Sequence, residues 1–368
     1  MQKFPQGQII KSSLFLGILL FFLGLGFLIA FFMNLGENNL FSNSKLQGFS
    51  AQQAVEQAFQ TCPRSADRSG SIVCFRNFLS DFVAQNGIQE LLSALEIITK
   101  EESLDPSYCH DVVHALGQLG TEHQSVQETV VVCTDLCTYG CHHGAVEQYV
   151  ATETDPQKQH QLVSDVVDAC KSSNRAACFH GLGHGVSVLG NYELPTSLAL
   201  CNQVEEESDR MYCGEGVLME LYEPSTFDKP IQEFPEDIGA FCESLESPYH
   251  ITCYRMVGSH TYQRTQNKSA AVTACKSIDQ AFSGDCIAAL SQNLYFMEQN
   301  NVGAVVEFCS QQTDAYAEDC LKGMLYGAEI AAQSSRKKEI CEQWQEFEAS
   351  NSNRTQSTVC TQVLNQVF

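Results

Sequence analysis

Basic residues are scarce in this sequence of 368 residues. It has 21 lysine and arginine residues against 44 aspartate and glutamate residues, which gives a formal net charge of −23 at pH 7. A surface of this sign repels the phosphates of nucleic acids and the headgroups of anionic lipids. We therefore expect no nucleic-acid partner, and we expect the surface to attract cations and basic peptides instead.

Proline is also rare, with 9 residues, and no run of alternating polar and apolar residues predicts a β-strand. Two motifs of hydrolytic enzymes are missing: Gly-x-Ser-x-Gly, which carries a serine nucleophile, and the zinc-protease motif His-Glu-x-x-His. The glycines of "HGLGHG" (180–185) have the wrong spacing for a phosphate-binding loop and follow no predicted strand. These absences favour an all-α protein and identify no catalytic residue.

One long stretch without charge lies at residues 12–36. As a helix it exceeds the hydrocarbon core of a bilayer, and it is longer than the apolar part of a cleavable signal peptide. Lys3 and Lys11 precede it and Glu37 follows it, so the positive-inside rule predicts a cytoplasmic segment 1–11. The sequence thus predicts a single-pass transmembrane signal anchor at 12–36, a linker at 37–50 and an extracytoplasmic remainder, periplasmic or extracellular.

All 18 cysteines follow this stretch, and their number is even. Export leads to an oxidising compartment, where disulfides persist, so we expect structural disulfides. Cys109 and Cys137 fall outside the short-range pairs and are left as partners for each other. The short intervals predict eight further pairs: Cys62–Cys74, Cys133–Cys141, Cys170–Cys178, Cys201–Cys213, Cys242–Cys253, Cys275–Cys286, Cys309–Cys320 and Cys341–Cys360.

The second members of these pairs recur at steps of 33 to 40 residues from Cys141 onward, which is typical of helical-hairpin arrays. Apolar segments typical of helices flank each pair. Glycine or alanine stands three residues after the second cysteine in five units, which predicts close helix packing because glycine is otherwise costly in a helix. We expect an array of disulfide-stapled α-hairpins, with histidine-bearing repeats at 51–190 and C-terminal repeats at 191–368.

The segments "CTDLCTYGC" (133–141) and "CKSSNRAAC" (170–178) each place seven residues between two cysteines. In this spacing the chain resembles the extracytoplasmic, cysteine-rich repeat proteins of the tetratricopeptide-like class, which staple each α-hairpin with one disulfide. The resemblance covers residues 125–368 and is one of architecture. It implies a right-handed α-solenoid with a possible protein partner along its groove, and it implies no catalytic residue.

Histidines are concentrated between residues 110 and 184. Three segments, "CHDVVH", "HHGAVE" and "FHGLGH", each hold two metal-ligand side chains four residues apart. This spacing puts both side chains on one face of a helix. The pairs are His110 with His114, His143 with Glu147, and His180 with His184.

Equivalent positions of stacked repeats form a row, so the three pairs are expected to meet in one groove. His143 and His180 lie at the same offset from their cysteines, and Glu215 extends the row. Imidazole with carboxylate suits zinc, copper, iron or manganese, so the six side chains predict a transition-metal site for one or two ions. If such a site is catalytic, Glu147 or Glu215 is a candidate general base for a metal-bound water.

Three alternatives remain open at this level. Cys133, Cys137 and Cys141 are candidate thiolate ligands for a softer ion such as Cu(I). The histidines are incidental if the array is a metal-free scaffold for protein partners. A metal-dependent hydrolase or an oxidoreductase is the third alternative, although no residue pattern identifies a substrate.

Overall fold

The protein is described from a computed structural model. The structure describes residues 48–62, 68–101, 106–151, 158–222, 232, 234–298, 301–330, 335–350 and 359–361. Within these ranges the regular structure is helical and there is no β-strand. The all-α prediction is thereby confirmed.

Seventeen α-helices carry the described chain, with one 3₁₀ turn at Ser247–Tyr249. In chain order they are α1 (Ala51–Thr61), α2 (Arg68–Asn86), α3 (Gln89–Glu101), α4 (Pro106–His123), α5 (Val126–Val132), α6 (Gly140–Ala151), α7 (Gln159–Cys170), α8 (Arg175–Leu189), α9 (Leu194–Cys201), α10 (Glu207–Tyr222), α11 (Ile238–Ser244), α12 (His250–Thr265), α13 (Lys268–Ser277), α14 (Gln280–Met297), α15 (Val302–Ser310), α16 (Asp314–Ile330) and α17 (Ser335–Ser350).

Several helices begin at a short polar side chain that accepts a hydrogen bond from the first turn. Such a cap satisfies a backbone N–H that the helix leaves unpaired. Ser125 forms a capping box with Glu128 at the start of α5. The other side chains that act in this way are Ser50, Asn174, Asp237, Asn267, Asp279 and Asn301.

The helices form two layers that follow their numbering. Each even-numbered helix from α2 to α16 packs against the next even-numbered helix, so α4, α6, α8 and α10 are consecutive neighbours. The odd-numbered helices form the other layer, in which α1 packs on α3, α5 on α7 and α15 on α17. This repeat-like order brings equivalent positions of successive even-numbered helices side by side.

All nine predicted disulfides are present, and no cysteine is free. Seven of them join the end of an odd-numbered helix to the following even-numbered helix, as Cys170–Cys178 does for α7 and α8. Cys109–Cys137 instead ties α4 to the segment before α6. The thiolate alternative for Cys133, Cys137 and Cys141 is wrong, because these sulfurs are consumed in disulfides.

Glycines let the even-numbered helices approach to backbone contact, as their recurrence predicts. A methyl group on Gly144 of α6 would lie 2.0 Å from the carbonyl oxygen of His114 in α4. One on Gly216 of α10 would lie 2.1 Å from the carbonyl oxygen of His180 in α8. No side chain fits at such distances, so glycine is required where these helices meet.

Residues Phe49–Phe368 form one compact unit. A continuous core of buried apolar side chains extends from Val126 to Cys360, and it contains the cysteines of the six disulfides from Cys170–Cys178 to Cys341–Cys360. Among the described helices, none has the length and apolar character needed to cross a bilayer. The anchor predicted at 12–36 lies outside the described residues.

Candidate metal centre

The candidate site is built on four consecutive helices of the even-numbered layer. Each helix contributes two polar side chains, which are four residues apart on the first three helices and five residues apart on the fourth. They are His110 and His114 on α4, His143 and Glu147 on α6, His180 and His184 on α8, and Glu215 and Glu220 on α10.

The three predicted pairs come together, and their five imidazole rings form one contiguous cluster. The centroid of the His143 ring lies 5.3 Å from that of His110, 4.9 Å from that of His180 and 5.0 Å from that of His184. The His180 and His184 rings are 5.1 Å apart, and those of His110 and His114 are 6.0 Å apart. His143 is therefore the centre of the group.

The Nε2 atoms of His180 and His184 are 3.2 Å apart. At the other nitrogen of the His184 ring, Nδ1 lies 2.8 Å from Glu220 Oε2. A carboxylate only accepts hydrogen bonds, so Glu220 holds the His184 proton on Nδ1 and leaves a lone pair on Nε2. This is the arrangement by which a carboxylate orients a metal-binding histidine.

Glu215 lies behind His180 in a similar way, with Oε2 at 3.7 Å from His180 Nδ1. Its other carboxylate oxygen is 3.5 Å from Arg255 Nη1. Burial raises the pKa of Glu215, but the charge of Arg255 and the contact with His180 outweigh burial and bring the pKa to about 2. Burial lowers the pKa of His180, and Glu215 partly opposes that effect.

His143 is buried, with 8% of its surface exposed, and its Nε2 has no hydrogen-bond partner among the described residues. Burial lowers the pKa of His143 well below its ordinary value, and the neighbouring histidines lower it further. His143, His180 and His184 offer one ligand atom each, and these three atoms all lie within 4.8 Å of one another. Burying a polar nitrogen without a hydrogen-bond partner costs free energy, and a ligand bound at that nitrogen would offset this cost.

A second group of potential ligands lies on the Nδ1 side of His184. Atoms of Glu147, His184 and Glu220 also lie within 4.8 Å of one another. Glu147 Oε2 is 2.9 Å from His114 Nε2, but the two atoms do not have the geometry of a hydrogen bond. Neither atom has a hydrogen-bond partner in the described part of the chain. Both side chains are almost fully buried, with His114 at 1% and Glu147 at 4% exposure.

His110 is oriented by the segment that the Cys109–Cys137 disulfide holds in place. Its Nδ1 lies 3.0 Å from the carbonyl oxygen of Cys137 and 2.7 Å from Thr138 Oγ1. The carbonyl can only accept, so Nδ1 carries the proton and Nε2 keeps its lone pair. The staple therefore has a second effect, because it orients a ring of the cluster.

His142 does not belong to the cluster, although it adjoins His143 in the sequence. Its side chain is fully buried. Burial lowers the pKa of His142 to about 4, and the carbonyl of Val130 in α5 opposes this effect. One step along a helix turns the side chain by about 100 degrees, which directs His142 to the odd-numbered layer.

Sequence reasoning did not find Glu220 and did not assign a partner to Glu215. Glu220 lies five residues after Glu215, so it breaks the four-residue spacing that identifies the other pairs. Arg255 lies two residues after Cys253, as Glu215 lies two residues after Cys213, and in the structure the two side chains form an ion pair. The register does suggest that pairing, since the two residues hold equivalent positions in neighbouring repeats.

Comparison of the chain with protein-family models, with curated proteins and with solved structures found no match. The residues of the cluster are therefore the basis of the functional proposal.

Proposed function

We propose that this protein is a membrane-anchored, extracytoplasmic helical-repeat protein that binds a transition-metal ion in the cluster of His110, His114, His143, Glu147, His180 and His184. His143, His180 and His184 would hold the ion. The other three residues would line the site. Zinc, copper and iron are the ions that such a nitrogen-rich set favours.

The observation that carries the proposal is the pair of facing Nε2 atoms of His180 and His184. In a tetrahedral zinc site with bonds of about 2.0 Å, two nitrogen ligands are about 3.3 Å apart. The 3.2 Å separation of the two atoms agrees with this value. Because the Glu220 contact leaves a lone pair on His184 Nε2, that nitrogen can bind a cation placed between the two rings.

Two further features support a built site. The candidate ligands come from helices that disulfides and glycine contacts hold in register, so little ordering would be needed on binding. Each of three rings has a contact at its Nδ1 that directs Nε2 inward: His110 through a carbonyl, His180 through Glu215 and His184 through Glu220.

The proposed location rests on the stretch at residues 12–36 and on the disulfides. Nine disulfides fit an oxidising compartment outside the cytoplasm. The N-terminal segment 1–11 would then lie in the cytoplasm. We also propose that the repeats form a right-handed solenoid, whose groove would offer room for a protein partner.

Elemental analysis tests metal binding directly. The full-length chain, purified in mild detergent with its disulfides formed, is incubated with excess Zn²⁺ or Cu²⁺ and desalted. We expect at least one ion per chain in the wild type and its loss in the variant H143A/H180A. The variant H160A is the control, because His160 is exposed, and it should bind as the wild type does.

Two outcomes would overturn the proposal. One is a wild type that retains less than about 0.1 mole of each metal per mole of chain. The other is an H143A/H180A variant that is folded by circular dichroism and still binds like the wild type. In the first case the metal-free scaffold would become the better description.

A further inference from the structure

The carboxylates of Glu147 and Glu220 form a second group beside the imidazole-rich one. They come from α6 and α10, which are not neighbours in the layer, and they reach His184 of α8 between them. Glu220 is 1% exposed and Glu147 is 4% exposed. The pKa of Tyr192 is raised, first by burial and then by the charges of Glu220 and Glu147, which agrees with both carboxylates converging on one place.

One ion in the imidazole-rich group cannot use these carboxylates. The two nitrogens of an imidazole ring point in divergent directions, and His184 presents Nε2 to His180 but Nδ1 to Glu220. An ion at Nε2 therefore lies on the opposite side of the ring from the carboxylates. Glu147 and Glu220 therefore cannot bind that ion.

The second group has its own unpaired buried atoms. Glu147 Oε2 and His114 Nε2 face each other at 2.9 Å without a hydrogen bond, and neither has such a partner within the described ranges. Two buried carboxylates close together are costly without positive charge between them. An oxygen-rich group with histidine suits a divalent cation such as Zn²⁺, Mn²⁺ or Fe²⁺.

We infer that the cluster is a two-ion centre, in which Glu147, Glu220 and Nδ1 of His184 hold a second divalent cation, with His114 beside it. His184 is then the bridging ligand, and its Nδ1 proton is released to solvent as the nitrogen binds the ion. The inference rests on the proposed function for the first ion, and it adds Glu220 as a ligand.

Zinc stoichiometry in three single variants tests the inference. H143A removes a ligand of the first ion only, and E220Q removes a charged ligand of the second ion only. The amide in E220Q can still accept a hydrogen bond from His184 Nδ1, so the orientation of His184 for the first ion is kept. E348Q is the matched control, because Glu348 is a buried glutamate that hydrogen-bonds Trp344 rather than a histidine.

The full-length chain is loaded with Zn²⁺ alone, desalted and assayed for zinc and for thermal stability. We expect two ions per chain in the wild type and in E348Q, and one ion in H143A and in E220Q. Zinc should raise the melting temperature of the wild type more than that of E220Q, because a bound ion stabilises the folded state.

The failures of the two proposals give different results. A wild type that binds one ion, with E220Q also binding one, overturns the second ion and leaves the proposed function standing. A wild type that binds no zinc overturns both. Two ions in E220Q would show that the second ion binds elsewhere on the acidic surface, which contradicts the role of Glu220.

Discussion

The phenol groups of Tyr139 and Tyr326 lie close enough to influence each other, although the two residues are about half the chain apart. Burial raises the pKa of both phenols, and their contact raises the pKa of Tyr139 further but opposes the rise for Tyr326. Tyr139 directly precedes α6, and Tyr326 belongs to α16. The helices α8, α10, α12 and α14 lie between these two helices in the order of the layer.

The tyrosine contact should contribute measurably to stability. Because Tyr326 is 42% exposed, water screens the interaction, and we expect a coupling energy of about 0.5 kcal/mol. Urea unfolding of Y139F, Y326F and the double variant gives this energy as a double-mutant cycle. Additive effects of the two single changes would mean that the hydroxyl groups do not interact.

Glycine at position 144 should be essential for packing α6 against α4. G144A places a methyl group 2.0 Å from the carbonyl oxygen of His114, so the helices must separate. We expect a loss of about 1 to 3 kcal/mol in the free energy of unfolding. Weaker zinc binding should accompany it, because His114 and His143 move apart.

Gly239 provides the control for this substitution. It lies in α11, and an added methyl group would meet only Asp237 Oδ1, at 3.5 Å. G239A should be neutral or stabilising by up to about 1 kcal/mol, because alanine favours a helix over glycine. Equal destabilisation of G144A and G239A would contradict a specific requirement at the helix contact.

The Cys109–Cys137 disulfide should matter for both stability and metal binding. The two cysteines are 28 residues apart in the sequence. Removing the disulfide in C109S/C137S should lower the free energy of unfolding by about 3 to 4 kcal/mol, because the unfolded chain gains entropy. It also frees the segment that orients His110, so zinc affinity should fall. Calorimetry of zinc binding and chemical unfolding measure the two effects.

The comparison variant is C341S/C360S, which removes a staple near the C-terminal end of the described chain. Its separation of 19 residues predicts a similar loss of stability. Its zinc affinity should stay at the wild-type value, because neither cysteine adjoins the histidine cluster. If both variants lose zinc equally, the Cys109–Cys137 staple has no special role at the site.

Burial of His142 should make the protein less stable in mild acid. Its pKa is about 4 when folded against an ordinary 6.5, so between these pH values only the unfolded chain takes up the proton. The free energy of unfolding therefore falls as pH drops from 6.5 towards 4, by up to about 1.4 kcal/mol per pH unit for this one group.

The variant H142L should remove that share of the pH dependence, as measured by urea unfolding at several pH values in the presence of a chelator. H160L is the matched control, because His160 is exposed and should not affect the slope. An unchanged slope in H142L would mean that His142 can be protonated without unfolding.

Patterns of spacing were sufficient for the helical class, the disulfide pairs and the meeting of the three histidine pairs. Each depends on a periodicity that the backbone imposes: one turn of helix brings residues four apart to one face, and one repeat brings equivalent faces together. Glu220 escaped this reasoning because it is off the period.

The sequence by itself determined that the chain forms helical hairpins, where they are stapled, and which helices carry metal-ligand side chains, since these properties depend on local spacing. The tertiary structure alone decided which ring nitrogens face inward, that Glu220 contacts Nδ1 of His184, and that Tyr139 lies near Tyr326. The reason is physical: hydrogen-bond direction and burial arise from contacts between distant segments, and no local pattern encodes these contacts.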